Sequence, residues 1–154
     1  MIRDCQGDLF ESGAEALVNP VNCVGVAGKG LALEFKKRWP GMNRCYVQDC
    51  QSQFLRPGHP TFQKTYDGRL VVFFPTKRHW RDASRLEDIQ AGLPVLAAYL
   101  KSYAVASVAI PALGCGLGGL DWADVRPLIV EALGGLDCDV MLYGPKEGDR
   151  WPTK

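Results

Sequence analysis

Residues Ser107 to Trp122 read SVAIPALGCGLGGLDW. Ser107 to Ile110 is a short apolar run of strand type, PALGCGLGGL is a glycine-dense loop, and a helical pattern opens near Asp121 with Pro127 early in it. Gly114 to Gly119 satisfies G-x-G-x-x-G, in the setting where backbone N–H groups and a helix N-terminus hold a pyrophosphate. Alone, such a loop reads equally well as a tight strand-to-helix connection. A dinucleotide-binding Rossmann unit needs an acidic residue closing the next strand and further strands beyond it, and only Val140 to Tyr143 follows. The phosphate is retained as an expectation and the Rossmann fold is not.

Upstream, short apolar runs alternate with helical patterns, which predicts an α/β layer fold. The run in the first ten residues is weak, whereas Ala16 to Val21 (ALVNPV) is a better strand, followed by Gly25, Gly28 and Gly30. Leu31, Phe35 and Trp39 recur every four residues as one helix face, stopped by Pro40-Gly41. Gly41 to Gln53 is polar with weak periodicity, and Arg56 to Pro60 is a loop. Asp67-Gly68 between TFQKTY and RLVVFFPTK signals a hairpin, and Val71 to Phe74 is apolar on both sides, as in a strand buried on two faces. Ser84-x-x-Glu87 reads as a capping box opening a helix through Leu86, Ile89, Leu93, Leu96 and Leu100, with a kink expected at Pro94. After Gly144 the chain is loop-like.

The 154 residues, 47% hydrophobic, suffice for one domain with a full core. A formal charge of +1 argues against coating nucleic acid or membranes by bulk electrostatics, so any such contact is local. Six cysteines with no C-x-x-C pair and two distant histidines argue against zinc. Arg3, Asp4 and Asp8 interrupt the start of the chain where a signal peptide needs an apolar run. No apolar stretch approaches the roughly 20 residues that span a bilayer. A soluble, cytoplasmic protein with reduced thiols is expected.

Val24 to Gly30 (VGVAGKG) is a second glycine cluster ahead of a helix. It is not a Walker A loop, because Cys23 stands at the first glycine position and Gly30 where Ser or Thr must reach magnesium. Two glycine-rich strand-to-helix loops in one small domain suggest two sides of one diphosphate ligand. Cys115, at a helix entry, reads as either an activated thiol or, preferably, a small filler. Lys77 ends an apolar strand, a place where desolvation favours nucleophilic use, although a solvated strand-end lysine is the commoner outcome. Lys77 to Arg85 (KRHWRDASR) sets Trp80 among Arg78, Arg81 and Arg85, a composition suited to stacking and neutralising single-stranded nucleic acid, and equally to an exposed loop with one packed Trp.

GDLF at Gly7 to Phe10, NPVNCVG at Asn19 to Gly25, GKG at Gly28 to Gly30 and IPALGCGLGGLDW at Ile110 to Trp122 resemble the ADP-ribose-binding macrodomain family, over essentially the whole chain. GKGLALEFKK (Gly28 to Lys37) and FPTKRHW (Phe74 to Trp80) are similar to its DarG antitoxin branch. The resemblance implies a three-layer α/β/α domain over residues 1–144, with a central mixed sheet of about six strands and ADP-ribose across the C-terminal strand ends. Residues 145–154 would then be a tail or the start of a linker. It also implies site roles. Asp8, beside Leu9, binds adenine, and Tyr143 packs on the ring. Asn22 faces the distal ribose, with Asn19 and Thr76 nearby. Gly28, Lys29 and Gly30, with Leu113, Gly114, Cys115, Gly116, Leu117, Gly118 and Gly119, enclose the diphosphate and that ribose. Lys77 is the catalytic lysine. The implied activity is removal of ADP-ribose from thymidine in single-stranded DNA, opposing a DarT-type toxin partner, by a monomer needing no metal or other cofactor. Arg78, Trp80, Arg81 and Arg85 are the candidate DNA contacts. Relatives acting on protein carry an acid in the second loop where this chain has Gly118. The alternatives are a hydrolase of ADP-ribosylated Glu or Asp on protein and a non-catalytic ADP-ribose reader.

Overall fold

The computed structural model describes residues 1–145. Six strands, β1 (Ile2–Cys5), β2 (Ala16–Asn22), β3 (Thr61–Lys64), β4 (Leu70–Lys77), β5 (Ser107–Pro111) and β6 (Asp139–Tyr143), form one sheet in the order β1-β6-β5-β2-β4-β3. All neighbours are parallel except the β3–β4 hairpin, so the sheet is mixed, as expected. The weak first run becomes an edge strand that relies on β6 for its pairing.

Strand alternation sorts the core into two layers. Ala16, Val18, Val72, Phe74, Val108, Ile110, Val140 and Leu142 face α3 (Leu86–Ser102) and α4 (Trp122–Leu133), which contribute Ile89, Leu93, Leu96, Leu100, Val125, Ile129 and Leu133. Leu17, Val21, Val71, Phe73, Ala109 and Met141 face the other way, under α1 (Gly30–Arg38) and α2 (Pro40–Gln51) with Phe35, Trp39 and Tyr46. The result is three layers, α/β/α.

Two local expectations are corrected. Pro40 stops α1 but also starts α2, standing at its first position, where the missing N–H costs no hydrogen bond. The weak periodicity of Gly41 to Gln53 therefore conceals a helix whose one fully buried side chain is Tyr46. Ser84 caps nothing: the residue before α3 is Arg85, with no side-chain cap, while the Ser84 N–H donates to the Gly118 carbonyl at 2.8 Å. Helix α3 continues on both sides of Pro94, which lies on its exposed side. Of the expected tail only Pro145 falls among the described residues.

Candidate functional site

Neighbouring strands β2 and β5 send their onward chains to opposite faces of the sheet, β2 to α1 and β5 to α4. Such a switch point opens a crevice at the carboxyl ends of the strands. Here it is a cleft of about 1490 Å³, floored by the ends of β2, β4, β5 and β6 and walled by residues of both glycine-rich loops. Four cations (Lys29, Arg38, Lys77 and Arg81) and two carboxylates (Asp8 and Glu34) line it, so a chain of near-zero charge presents a locally positive hollow.

The pairing of β2 with β4 shifts register after Val21: Val21 faces Pro75 and Asn22 faces Lys77, so β4 carries the extra residue, Thr76, and Lys77 stands opposite Asn22 at the cleft floor. The Cys23 N–H donates to the Lys77 carbonyl at 3.0 Å, closing the two strand ends together. The half-buried Lys77 side chain donates from Nζ to the Trp80 carbonyl at 3.4 Å. Thr76 is buried below it and donates to the Val21 carbonyl at 3.3 Å.

Asn22 holds the first loop. Its Nδ2 donates to the Val26 carbonyl at 2.7 Å, and its Oδ1 accepts from the N–H groups of Val24 and Val26 at 3.1 and 3.3 Å. The Tyr46 hydroxyl lies 2.7 Å from the Asn22 carbonyl and 2.8 Å from Oδ1. Burial drives the Tyr46 hydroxyl well above the ordinary tyrosine range, so it stays protonated and donating. The composition of α2 gave no sign of this tether.

The second loop needs its glycines for space. Gly114 adopts φ +73°, and a Cβ there would stand 2.7 Å from Leu120 Cδ1. A Cβ on Gly118 would overlap the Ser84 hydroxyl and lie 3.0 Å from Ser84 Cβ and 3.9 Å from Lys77 Cε. No acidic side chain can start from position 118 while Ser84 occupies that place. Burial, with a smaller push from Asp121, raises the Cys115 thiol to about 12, so it is a filler with a protonated sulfur at neutral pH.

At the far end, Asp8 caps a short 3-10 turn through Phe10 N–H at 2.9 Å and faces Arg38 at 3.9 Å. Leu9 and the half-buried Tyr143 flank it on the cleft wall. The Arg38 guanidinium sits 4.1 Å from the centre of the Phe10 ring, a contact not anticipated from the cationic end of α1.

Most of the expected residues share this cleft: Asp8, Leu9, Asn22, Gly28, Lys29, Gly30, Thr76, Lys77, Gly114, Cys115, Gly116, Leu117, Gly118 and Tyr143. Several do not. Asn19 is 3% exposed, on the β2 face that packs under α1 and α2, because alternation puts it with Leu17 and Val21. Leu113 belongs to the α3–α4 core, and Gly119 lies just outside the cleft wall. Among the proposed DNA contacts, Arg78 is used internally: Nε and Nη2 bind the Asp88 carboxylate at 3.0 and 3.1 Å, which raises the Arg78 pKa and pins the Lys77–Arg85 segment to α3. Arg85 stands outside the cleft, loosely facing Glu87 at 4.0 Å. Trp80 and Arg81 remain on the rim. Trp80 is 45% exposed, with the Arg81 guanidinium 4.6 Å from its ring centre.

Comparison with known proteins places this cleft in a family. The Macro domain model matches residues 18–129. The chain belongs to the macrodomain family. This macrodomain is 46% identical over 154 residues to a DNA ADP-ribosyl glycohydrolase of Mycobacterium tuberculosis, covering 97% of this chain and 44% of that protein. It thus spans less than half the length of that relative. The solved macrodomain of M. tuberculosis DarG superposes with a TM-score of 0.92 at 44% identity, covering 95% of this chain and 99% of that one. Thermosipho africanus DarTG, solved in complex with ADP-ribose, superposes with a TM-score of 0.86 at 38% identity, over 95% of this chain and 42% of that one. Among the described residues, no helix is long and apolar enough to cross a membrane.

Proposed function

We propose that this macrodomain is a glycohydrolase that removes ADP-ribose from thymidine bases in single-stranded DNA, and so reverses the action of a DarT-type toxin. The observation that carries the reading is Lys77, which lines the same cleft as both glycine-rich loops, its Cε 3.9 Å from where a Cβ would stand on Gly118. The chain's similarity to a DNA ADP-ribosyl glycohydrolase and to a DarTG solved with ADP-ribose supports it.

In this reading the diphosphate lies over the N–H groups of the first loop and the entry of α1, with Lys29 and Arg38 nearby. The distal ribose lies against Gly114 to Gly118 with its anomeric carbon toward Lys77. The amine serves that carbon as nucleophile or as a fixed positive charge, and water supplies the hydroxyl that replaces the base. No metal or cofactor is required. Trp80 and Arg81 form the rim over which the strand passes, Trp80 by stacking and Arg81 by facing a phosphate. The domain acts as a cytoplasmic monomer.

The test is release of ADP-ribose from an ADP-ribosylated single-stranded oligonucleotide by wild type and Lys77→Ala. The expectation is cleavage by wild type, reduced on the order of 100-fold or more in the variant. Equal cleavage by both would refute the lysine mechanism. No cleavage by wild type would refute the activity.

A further inference from the structure

Ser84 is wedged between the two ends of the second loop. Its Cβ lies 3.1 and 3.0 Å from where a Cβ would stand on Gly114 and Gly118, and its N–H is bound to the Gly118 carbonyl at 2.8 Å. The residue is 7% exposed, borders the cleft, and its hydroxyl has no hydrogen-bond partner among the described residues. A buried hydroxyl left unmatched destabilises the fold, because its desolvation goes uncompensated. The backbone N–H and the Cβ already make the wedge, and an alanine would supply both. The hydroxyl is therefore superfluous to the fold and calls for a partner that arrives with the ligand.

What arrives there is fixed by the neighbours. Lys77 Cε and the Ser84 hydroxyl approach the same point beside Gly118, the place an acidic side chain at 118 would fill. We propose that the Ser84 hydroxyl hydrogen-bonds a hydroxyl of the distal ribose, the sugar bearing the scissile bond, and thereby orients its anomeric carbon toward Lys77. Ser84 thus stands beside Lys77 in the same subsite, its neutral hydroxyl at the point where a side chain on residue 118 would begin. This rests on the ADP-ribose reading of the cleft and adds to it a residue that distinguishes ADP-ribose from ADP.

Calorimetry with ADP-ribose and with ADP, which lacks the distal ribose, tests it on wild type, Ser84→Ala and Ser84→Cys, with Tm measured on each. Loss of one neutral hydrogen bond should weaken ADP-ribose binding by Ser84→Ala about 5- to 10-fold. ADP affinity should stay unchanged and Tm should not fall. Cysteine, a weak donor of similar shape, should lie between the two. Undiminished ADP-ribose binding by Ser84→Ala would overturn the proposal. So would equal weakening toward both ligands with a lowered Tm, since that is the signature of a wedge alone. If wild type fails to bind ADP-ribose, the reading of the whole cleft falls and this inference with it, a result separable from failure of the serine alone.

Discussion

Tyr46→Phe removes one oxygen from the interior and tests whether the first loop is held from below. Tyr46 is 1% exposed, and its ring stacks on Phe73 at 5.5 Å between centroids, a contact phenylalanine keeps. Only the hydroxyl's bonding to the Asn22 carbonyl and Oδ1 is lost. Oδ1 retains its two backbone donors, so the group left short is chiefly the Asn22 carbonyl, whose other neighbour is the Cys50 thiol at 3.9 Å. One buried hydrogen bond with partial compensation is worth about 1 to 2 kcal/mol. On a domain of this size that corresponds to a Tm lower by roughly 2 to 8 °C. Because Asn22 ties Val24 and Val26, ADP-ribose affinity should fall as well, while far-UV circular dichroism stays unchanged. Urea denaturation and calorimetry on the one variant give both numbers. A variant that is destabilised yet binds ADP-ribose as tightly as wild type would show that the tether serves the fold and not the loop. One unchanged in both would refute the tether.

Arg78→Ala and Arg81→Ala should separate scaffold from rim: the first leaves the nearly buried Asp88 without its partner and lowers Tm, whereas the second leaves Tm unchanged and flattens the salt dependence of oligonucleotide binding. Gly92→Ala should destabilise despite a helix-propensity gain of about 1 kcal/mol, because its Cβ would stand 2.7 Å from Phe74 Cζ and overpacking costs about 1 to 3 kcal/mol; chemical denaturation reads the net sign. Burial holds the Cys23 and Cys115 thiols up to about 12 and Cys50 up to about 11, against an ordinary value of 9.0. Above pH 9 the unfolded chain therefore loses thiol protons that the folded one keeps. Stability contributed by these thiols should be intact below pH 9 and decline as pH rises toward 11 to 12, with slow alkylation of the native protein at pH 8 and rapid alkylation in urea.

The layer architecture was legible because it rests on long-period signals. Val71 to Phe74 could only be a strand covered on both sides, and Asp67-Gly68 fixed the one antiparallel pair. The glycine loops were legible because their backbone requires glycine, with positive φ at Gly25, Gly30, Gly114, Gly116 and Gly119. What stayed hidden was decided by contacts between segments distant in sequence. Ser84 carries a capping-box signature, yet its N–H is claimed by Gly118, 34 positions away, so a tertiary bond overrides the local motif. Arg78 belongs to a run that reads as nucleic-acid binding, and only the approach of α3 shows that its Nε and Nη2 are engaged by Asp88. Asn19 and Asn22 fall in one short motif but on opposite sides of a pleat, which separates a core position from a cleft position once the strand ends at Asn22.

The distribution of polarity follows from strand direction. Five strands run parallel, so their carboxyl ends share one edge, and the loops leaving that edge carry the cleft. Substitutions at the strand middles, such as Leu17, Val72 or Ile110, remove apolar contacts from one of two dry layers and should lower stability alone. Substitutions at the carboxyl ends act on groups whose hydrogen bonds bind one strand end or loop to another: Asn22 to Val26, Cys23 to Lys77, Ser84 to Gly118. Each such bond joins a glycine-rich loop or the Lys77 segment to its neighbour. The three segments therefore form one constellation around the same hollow, and loosening any one shifts the geometry of the other two. A near-neutral chain has no long-range field to compensate for such a shift, so under the proposed function the positions of Lys29, Arg38, Lys77 and Arg81 at this edge are its means of holding an anionic ligand.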